Sequence, residues 1–449
     1  MSVTVSATAS ASVYAERRAR VMAALPPRAV LLLAGGGEVT RNADVHYRYR
    51  AASDMVYLTG FTEPDAVLVL APGRPAPFTL LVRPRDRERE IWNGRRAGVE
   101  GARAQFGADA AHPIGDLASK LLELLDGADE VWVQLGADKQ FDSRVLTAVA
   151  DLRARERRGT RAPRRFVDPR DLLHEQRLLK TEAELAILRR AAAITSEAHV
   201  AAMQSARPGV FEHQLEAEIE YVFRRRGAFG PGYGTIVGAG ANATVLHYVD
   251  NSAALAAGDL VLVDAGAEVD YYTADVTRTF PCGGRFSPAQ RRLYDLVLAS
   301  QEEAIDGVRA GGTMDAIHDG VVRKLTAGLC ELGLLSGDPV KLIEDGAFRR
   351  YYMHRTSHWL GMDVHDVGPY VLPGPGGGVI PPPRTLQPGM VLTIEPGLYI
   401  QPDDEAAPAE YRGLGVRIED DVVVTSGAPE VLTAACPKHP AELERLTAV

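Results

Sequence analysis

The sequence predicts an α+β protein of two domains, and three observations lead to this prediction. The chain has 449 residues of which 46% are hydrophobic, enough for two or three domains with large cores. Its first part alternates strand-like apolar runs with helical stretches, whereas its second part combines long helices with strands that carry acidic residues. We place the boundary after residue 175, which gives an α/β domain at residues 1–175 and a second domain at residues 176–449.

The amino-terminal domain is predicted from four apolar runs typical of buried strands, which are AVLLLAGGG, AVLVLAP, FTLLVRP and EVWVQLG. The basic, proline-containing segment RGTRAPRRFVDPRD is the expected junction with the second domain. The Ser- and Ala-rich first twenty residues weakly resemble an organellar transit segment, but we favour a tail that leads into a helix.

Helix signals open the second domain. Thr181 and Glu184 have the spacing of a capping box, which predicts a long helix through AELAILRRAAAITSEAHVAAMQ. Ser287 followed by proline predicts the start of another helix, and we expect Gly311 and Gly312 to end it.

The segment VLVDAGAEVDYYTADVTRTF reads as a β-hairpin that carries two acids. If its loop consists of Val269 and Asp270, Asp264 lies directly opposite Asp275, with Cβ atoms about 5 Å apart. Two carboxylates at that distance repel each other, so either one is protonated or a cation lies between them. The alternative is an ordinary acidic pair on a solvent-facing hairpin.

Three further segments add candidate site residues. MHRTSHWLGMDVHDVG places His354, His358 and His365 close together, although such histidines could also be core residues or share one helix face. Glu395 follows the apolar run of MVLTIEPG at the end of a strand, because the next residue is proline. Glu419 lies in GLGVRIEDDVVVT, whose alternation puts it on one face with Arg417. Each glutamate alone is more typical of a surface acid, so the prediction of a site depends on the combination.

The combination of carboxylates with imidazole indicates a site for two metal ions. Carboxylates can bridge two cations, and an oxygen-rich set suits manganese, with cobalt, iron or zinc as alternatives. Paired cations lower the pKa of a shared water and polarise a carbonyl oxygen. The expected reaction is therefore a hydrolysis.

These segments strongly resemble the proline-specific metallopeptidases of the pita-bread fold, most closely the aminopeptidase P family. The resemblance also covers RNADVHYRYRAASDMVYLTGFTEPDAVLVL and EIWNGRRAG, which look like the non-catalytic domain of that family. It implies a pita-bread catalytic domain preceded by a smaller, creatinase-like α/β domain.

The resemblance also implies roles for individual residues. The metal ligands would be Asp264, Asp275, His358, Glu395 and Glu419, with Asp275 and Glu419 bridging both ions. A hydroxide between the ions would be the nucleophile, and Glu395 would accept the proton of the attacking water. The remaining matched positions would line or support the substrate site, and they are His247, His354, His365, Tyr399 and Arg417.

The implied substrates are peptides with proline as the second residue, from which the first residue is removed. A prolidase restricted to dipeptides and a pita-bread relative that has lost catalysis and only binds remain alternatives. Methionine aminopeptidase is disfavoured by the long amino-terminal domain, and a metal-free creatinase-like hydrolase by the intact ligand set. One departure is visible, since Arg355 and Thr356 follow His354 where the family often has glycine first, which leaves the peptide preference open.

Composition restricts the remaining function classes. The net charge of −9 disfavours a nucleic-acid partner, and no apolar run approaches the length of a membrane span. The three cysteines fit a reducing compartment, so we expect a cytoplasmic protein. Trp92 matches a family position that reaches a neighbouring subunit, which predicts a homo-oligomer, either a dimer or a tetramer.

Overall fold

The structure is a computed structural model that describes residues 7–372 and 382–448, so the very start of the Ser- and Ala-rich segment lies outside it. The chain forms two compact units, Met1–Gln176 and Arg177–Val449. Within the described ranges, no helix is both long enough and apolar enough to cross a membrane.

The first unit contains a mixed six-stranded sheet with the strand order β6-β5-β4-β1-β7-β8. Its strands are β1 (Ala29–Ala34), β4 (Val67–Leu70), β5 (Phe78–Val82), β6 (Ala110–Pro113), β7 (Glu130–Trp132) and β8 (Arg165–Val167), beside a small hairpin of β2 (Thr40–Asn42) and β3 (Val45–His46). Its helices are α1 (Ala7–Ala24), α2 (Ser53–Thr59), α3 (Arg87–Asn93), α4 (Gly98–Ala104), α5 (Leu117–Leu125) and α6 (Lys139–Ala154). All four predicted strands are confirmed, and the predicted junction segment supplies β8.

After α7 (Arg170–Leu178), the second unit combines helices with short antiparallel sheets. Its helices are α8 (Glu182–Ser205), α9 (Glu212–Arg225), α10 (Pro288–Asp306), α11 (Met314–Glu331), α12 (Pro339–Glu344) and α13 (Pro440–Leu446). Its first strands are β9 (Gly230–Pro231), β10 (Ile236–Ala239), β11 (Leu260–Asp264), β12 (Ala267–Val269), β13 (Tyr272–Thr273) and β14 (Thr277–Pro281). The later strands are β15 (Val391–Ile394), β16 (Gly397–Tyr399), β17 (Gly415–Arg417), β18 (Asp420–Val423) and β19 (Glu430–Val431).

The predicted helix starts are confirmed, but one helix end is wrong. The Thr181 side chain and Glu184 form the expected capping box at the start of α8. Ser287 caps α10 in the same way, with proline at its first position. Helix α10 ends at Asp306, before Gly311 and Gly312, which lie in the turn that leads to α11.

The acidic hairpin forms, but its predicted register is wrong. Val269 pairs with Tyr272, so the two turn residues are Asp270 and Tyr271, with φ of 48° and 69°. Two left-handed residues in succession are typical of a type I′ turn, whose twist matches that of the strands. Asp264 therefore pairs with Thr277 instead of Asp275.

Between the two acids the hairpin backbones come very close. A Cβ atom on Gly266 would lie 1.7 Å from the carbonyl oxygen of Ala274. Ala265 N–H still bonds the carbonyl of Val276 at 3.0 Å, so the two chains stay joined across this break. Only glycine fits at position 266 without a shift of the backbone.

The second acidic segment is divided in two, where the sequence predicted one continuous alternating strand. Strand β17 ends at Arg417 and β18 begins at Asp420. Ile418 lies in the hydrophobic core of this unit, whereas Arg417 and Glu419 face the cavity described below. The predicted alternation of faces thus holds for these three residues.

Candidate active site

A cavity of about 760 Å³ in the second unit brings together nine of the ten residues singled out from the sequence. They come from strands and loops far apart in the chain, and they are His247, Asp264, Asp275, His354, His358, His365, Glu395, Arg417 and Glu419. The tenth, Tyr399, lies behind this wall, where its hydroxyl contacts His354 Nε2 at 2.9 Å.

The inner end of the cavity holds a cluster of ligand atoms suited to a metal ion. One ligand atom from each of Asp275, His358 and Glu419 lies within 4.8 Å of the others. His358 Nε2 is 3.4 Å from Asp275 Oδ2 and 3.6 Å from Glu395 Oε1. Because His358 Nδ1 lies 3.0 Å from the carbonyl oxygen of Trp359, its proton is placed there and Nε2 remains free to act as a ligand.

Tyr233, which the sequence reading missed, connects Asp264 with this cluster. Its hydroxyl lies 2.6 Å from Asp264 Oδ1 and 2.5 Å from Asp275 Oδ1. A hydroxyl has one proton, so it can donate to only one of these carboxylates at a time. Asp421 is a second missed residue, and its carboxylate accepts the backbone N–H of Asp275 at 3.1 Å.

The crowded acids have strongly altered proton affinities. Burial raises the pKa of Glu395 to about 7, with the His358 charge opposing and the Asp275 charge adding to the shift. Burial, followed by the charges of Asp275 and Glu395, raises the pKa of Glu419 well above its usual value. Burial alone would lower the pKa of His358, but the hydrogen bond that its ring donates to Asp275 and the charge of Glu395 raise this pKa to about 9.

This cluster fits divalent cations on chemical grounds. The carboxylates of Asp275, Glu395 and Glu419 lie close together, and burial and the charges of neighbouring carboxylates raise the pKa of each. Positive charge placed among them would relieve that repulsion. Oxygen donors with one imidazole are the set that hard and borderline divalent ions prefer.

Arg417 forms hydrogen bonds that connect it to two of the acidic residues. Its guanidinium donates to Asp264 Oδ2 at 2.7 Å, to the Tyr399 hydroxyl at 2.9 Å and to Thr277 Oγ1 at 3.0 Å. Thr277 Oγ1 in turn donates to Glu419 Oε2 at 2.6 Å. One buried cation thus orients Asp264, at the end of β11, directly and Glu419, between β17 and β18, through Thr277.

The three histidines of the motif have different surroundings. His354 has both ring nitrogens engaged, with Nδ1 at 2.8 Å from the Arg355 carbonyl and Nε2 at the Tyr399 hydroxyl. Burial, then the charge of Arg417, lowers the pKa of His354 to about 4, so it is neutral near pH 7. The ring of His365 packs edge-on against that of His358 at 4.4 Å between centroids.

The loop that carries His365 is anchored by a buried ion cluster. The Asp366 carboxylate accepts from Arg177 Nη2 at 2.6 Å and from Lys180 Nζ at 3.0 Å. The side chains of Asp366 and Lys180 are each 1% exposed. The sequence reading missed this cluster.

His247, which the sequence predicted from a separate segment, is exposed on the cavity wall.

Comparison with known proteins agrees with this geometry. The model of metallopeptidase family M24 matches residues 186–426, which cover more than half of the chain and the whole cluster. The chain belongs to metallopeptidase family M24. Residues 14–132 match the model of the aminopeptidase P N-terminal domain, so the chain joins that domain to an M24 catalytic domain of the pita-bread fold.

Individual relatives of this family resemble the chain over nearly its full length. The Xaa-Pro aminopeptidase of Escherichia coli is 45% identical over 435 residues, covering 96% of this chain and 97% of the relative. Xaa-Pro aminopeptidase 1 of Streptomyces coelicolor is 37% identical, covering 97% and 87%. The structure of Pseudomonas aeruginosa aminopeptidase PepP superposes with a TM-score of 0.94 at 49% identity, covering 97% of this chain and 98% of that one.

Zinc-substituted E. coli aminopeptidase P in complex with product superposes with a TM-score of 0.93 at 44% identity, covering 97% of this chain and 98% of that one. The predicted family and fold class are confirmed by these matches. Membership of a metallopeptidase family, together with the acidic cluster, supports divalent metal ions as the cofactor.

Proposed function

We propose that this chain is an Xaa-Pro aminopeptidase, which hydrolyses the bond between the first residue of a peptide and a proline in second position. The observation that carries this proposal is the convergence of Asp264, Asp275, His358, Glu395 and Glu419 at the inner end of one cavity. The same activity is named for the relatives that match nearly the whole chain.

Two divalent cations, most suitably manganese, would be held by these five residues and would supply an activated water and a polarised scissile carbonyl. Glu395 is the residue we assign to accept the proton of the attacking water. Its Oε1 lies 3.6 Å from His358 Nε2 and its Oε2 lies 3.7 Å from His354 Nδ1, so one oxygen can hold a cation while the other accepts a proton.

His365 and His247 are assigned to the substrate carbonyl. Both lie on the cavity wall, and burial followed by the charge of His358 lowers the pKa of His365. A neutral imidazole can donate one hydrogen bond to the oxygen on which negative charge develops. We assign His354, Tyr399 and Arg417 to support, because they contact one another and orient Asp264.

The proline preference has a physical basis in the substrate. The Xaa-Pro bond is a tertiary amide without an N–H, and proline has a fixed φ, so peptidases that hydrogen-bond an extended backbone handle it poorly. Apolar side chains on the same wall, among them Ile236, Leu246 and Val364, can accept a pyrrolidine ring.

Three further assignments belong to the same proposal. Catalysis is assigned to residues 176–449 and a non-catalytic role to residues 1–175, because every residue that lines the cavity lies in the second unit. A homo-oligomer is supported by the exposure of Trp92, which is 88%, and of Ile91, which is 77%. A cytoplasmic location is supported by three free cysteines.

The test is turnover of a matched Xaa-Pro dipeptide, tripeptide and longer peptide by chelated protein, before and after addition of manganese, cobalt or zinc. We expect no turnover after chelation and cleavage of all three substrates after manganese is added. Cleavage of the dipeptide alone would indicate a prolidase, and no cleavage with any metal would overturn the proposal.

A further inference from the structure

Charged side chains lie at the mouth of the cavity, away from the candidate metal ligands at its inner end. The Arg355 guanidinium contacts the Asp315 carboxylate, and these side chains are 60% and 49% exposed. Both residues line the cavity, as does His318, which follows Asp315 by three residues on helix α11. At the inner end, by contrast, the Asp275 side chain is only 7% exposed.

The direction of the substrate follows from this arrangement. An aminopeptidase acts on the first residue of its substrate, so that residue must reach the inner end and the rest of the peptide must leave through the mouth. Arg355, Asp315 and His318 are therefore placed to meet the part of the peptide that follows proline.

His318 lies at the end of a chain of two hydrogen bonds. The Tyr352 hydroxyl lies 2.6 Å from Thr356 Oγ1, and Thr356 Oγ1 lies 2.8 Å from His318 Nδ1. Tyr352 is 1% exposed and Thr356 is 0% exposed, so neither hydroxyl can turn to solvent.

One arrangement of protons lets each hydroxyl in this chain donate to the next group. Within the described residues, Thr356 Oγ1 is the one acceptor near the Tyr352 hydroxyl, so Tyr352 donates to it. With the Thr356 proton donated to His318 Nδ1, the imidazole proton lies on Nε2, and this is the tautomer that we assign. Burial, followed by the charge of Arg355, lowers the pKa of His318 to about 4, so the ring is neutral near pH 7.

We propose that Arg355 and the Nε2–H of His318 form a subsite for a carboxylate in the peptide segment that follows proline, an inference that rests on the proposed function. Two donors, one of them charged, recognise a carboxylate better than a neutral or cationic group. The carboxylate is either the carboxyl terminus of a tripeptide or an acidic side chain at the third position. Thr356 is a positioning residue, because it acts through His318.

Asp315 affects this subsite in two ways. Its contact holds the long Arg355 side chain across the cavity mouth. The same carboxylate also competes with the substrate for the guanidinium, which limits the preference for an acidic peptide. Replacing it by asparagine keeps the shape of the side chain and removes the competing charge.

The first experiment compares kcat/KM of the metal-loaded protein for four substrates, namely Ala-Pro-Leu, its carboxyl amide, Ala-Pro-Asp-amide and Ala-Pro-Lys-amide. Wild type should favour the free acid over its amide, the Asp peptide over the Lys peptide, or both, and the comparison tells which carboxylate is bound. R355Q should reduce the preference by about two- to fivefold, the range expected for a solvent-exposed charge pair. D315N should increase it.

The matched controls are R291Q and D295N. Arg291 and Asp295 form an ion pair on α10 with exposures of 46% and 49%, and neither lines the cavity. Both controls should keep the wild-type ratios. A preference that R355Q leaves unchanged, or a wild-type preference for the Lys peptide, overturns the subsite.

A binding measurement separates this inference from the proposed function. Calorimetry of Pro-Leu, Pro-Leu-amide, Pro-Asp-amide and Pro-Lys-amide with the metal-loaded protein measures binding to the subsite without turnover. The peptide that carries the recognised carboxylate should bind more tightly than its amide or lysine counterpart in wild type but not in R355Q. Failure to cleave any of the four peptides, with this difference intact, would reject the aminopeptidase activity alone. Cleavage without any difference in either assay would reject the subsite alone.

The role of Thr356 is tested by measuring the tautomer of the His318 imidazole. In ¹⁵N spectra, His318 should show a protonated Nε2 in wild type, a mixture of tautomers in T356V and recovery of the wild-type signal in T356S. The preference for the carboxylate should fall and recover with the same two variants. A T356V protein with an unchanged tautomer contradicts the hydrogen-bond chain.

Discussion

Replacing Lys180 by methionine tests how the loop of His365 is held in place. Lys180 Nζ lies 3.0 Å from Asp366 Oδ2, and both side chains are 1% exposed. Methionine fills a similar volume but removes the charge, so the variant keeps the packing and leaves the Asp366 carboxylate with Arg177, at 2.6 Å, as its remaining buried cation.

The expected loss follows from the cost of a buried charge that has lost a partner. Removing one member of a buried ion pair typically costs about 3–5 kcal/mol in the free energy of unfolding. Since Arg177 still neutralises much of the Asp366 charge, we expect the lower end, about 3 kcal/mol. Because Asp366 follows His365 directly, kcat should fall as well.

The assay is denaturant unfolding combined with steady-state kinetics, with K324M as the matched control. Lys324 pairs with Glu303 on the surface, with side chains 33% and 65% exposed, so its loss should cost less than about 1 kcal/mol. The double variant K180M/D366N removes both charges and should recover part of the lost stability.

Two results would refute this reasoning. Equal stability losses in K180M and K324M would mean that burial does not strengthen the Lys180–Asp366 interaction. A double variant that is as unstable as the sum of both single variants would mean that the two side chains are not coupled.

Three further predictions concern the site and its support. E395Q should nearly abolish turnover while the melting temperature stays near that of wild type, and near-normal activity in the metal-loaded variant would contradict its role as proton acceptor. H365A should lower kcat far more than stability, whereas equal losses would indicate a structural histidine. The pKa of Asp420 falls from 3.8 to about 2, since burial is outweighed by the charges of Arg278 and Lys438. Because a lowered pKa stabilises the fold above the unfolded value, the stability deficit of D420N should be full above pH 3.8 and shrink as the pH falls towards about 2 in unfolding titrations.

The acidic strands could be predicted from sequence because their signals are local. Glu395 follows an apolar run and precedes proline, and Arg417 and Glu419 alternate with core residues, so short stretches of chain fix their positions. The hairpin register was predicted wrongly, because it depends on left-handed backbone at Asp270 and Tyr271, and tyrosine is not a typical residue for such a turn.

The residues that sequence reasoning missed are joined to the site over long separations. Arg177 and Asp366 are 189 positions apart in the chain, and Asp275 and Asp421 are 146 apart. No periodicity or spacing connects such positions before the chain is folded. Tyr233 was missed for the same reason, since its own segment carries no motif and its role is visible only beside Asp264.

The close backbone approach at Gly266 affects which sequence changes this protein can tolerate. Gly266 has no side chain and takes no part in chemistry, yet any larger residue there would strike the Ala274 carbonyl and force apart the segments that carry Asp264 and Asp275. In a library of all single substitutions selected for peptide cleavage, position 266 should be depleted as severely as the acids on either side of it. Inherited variation at this position would therefore inactivate the protein although every functional group remains present.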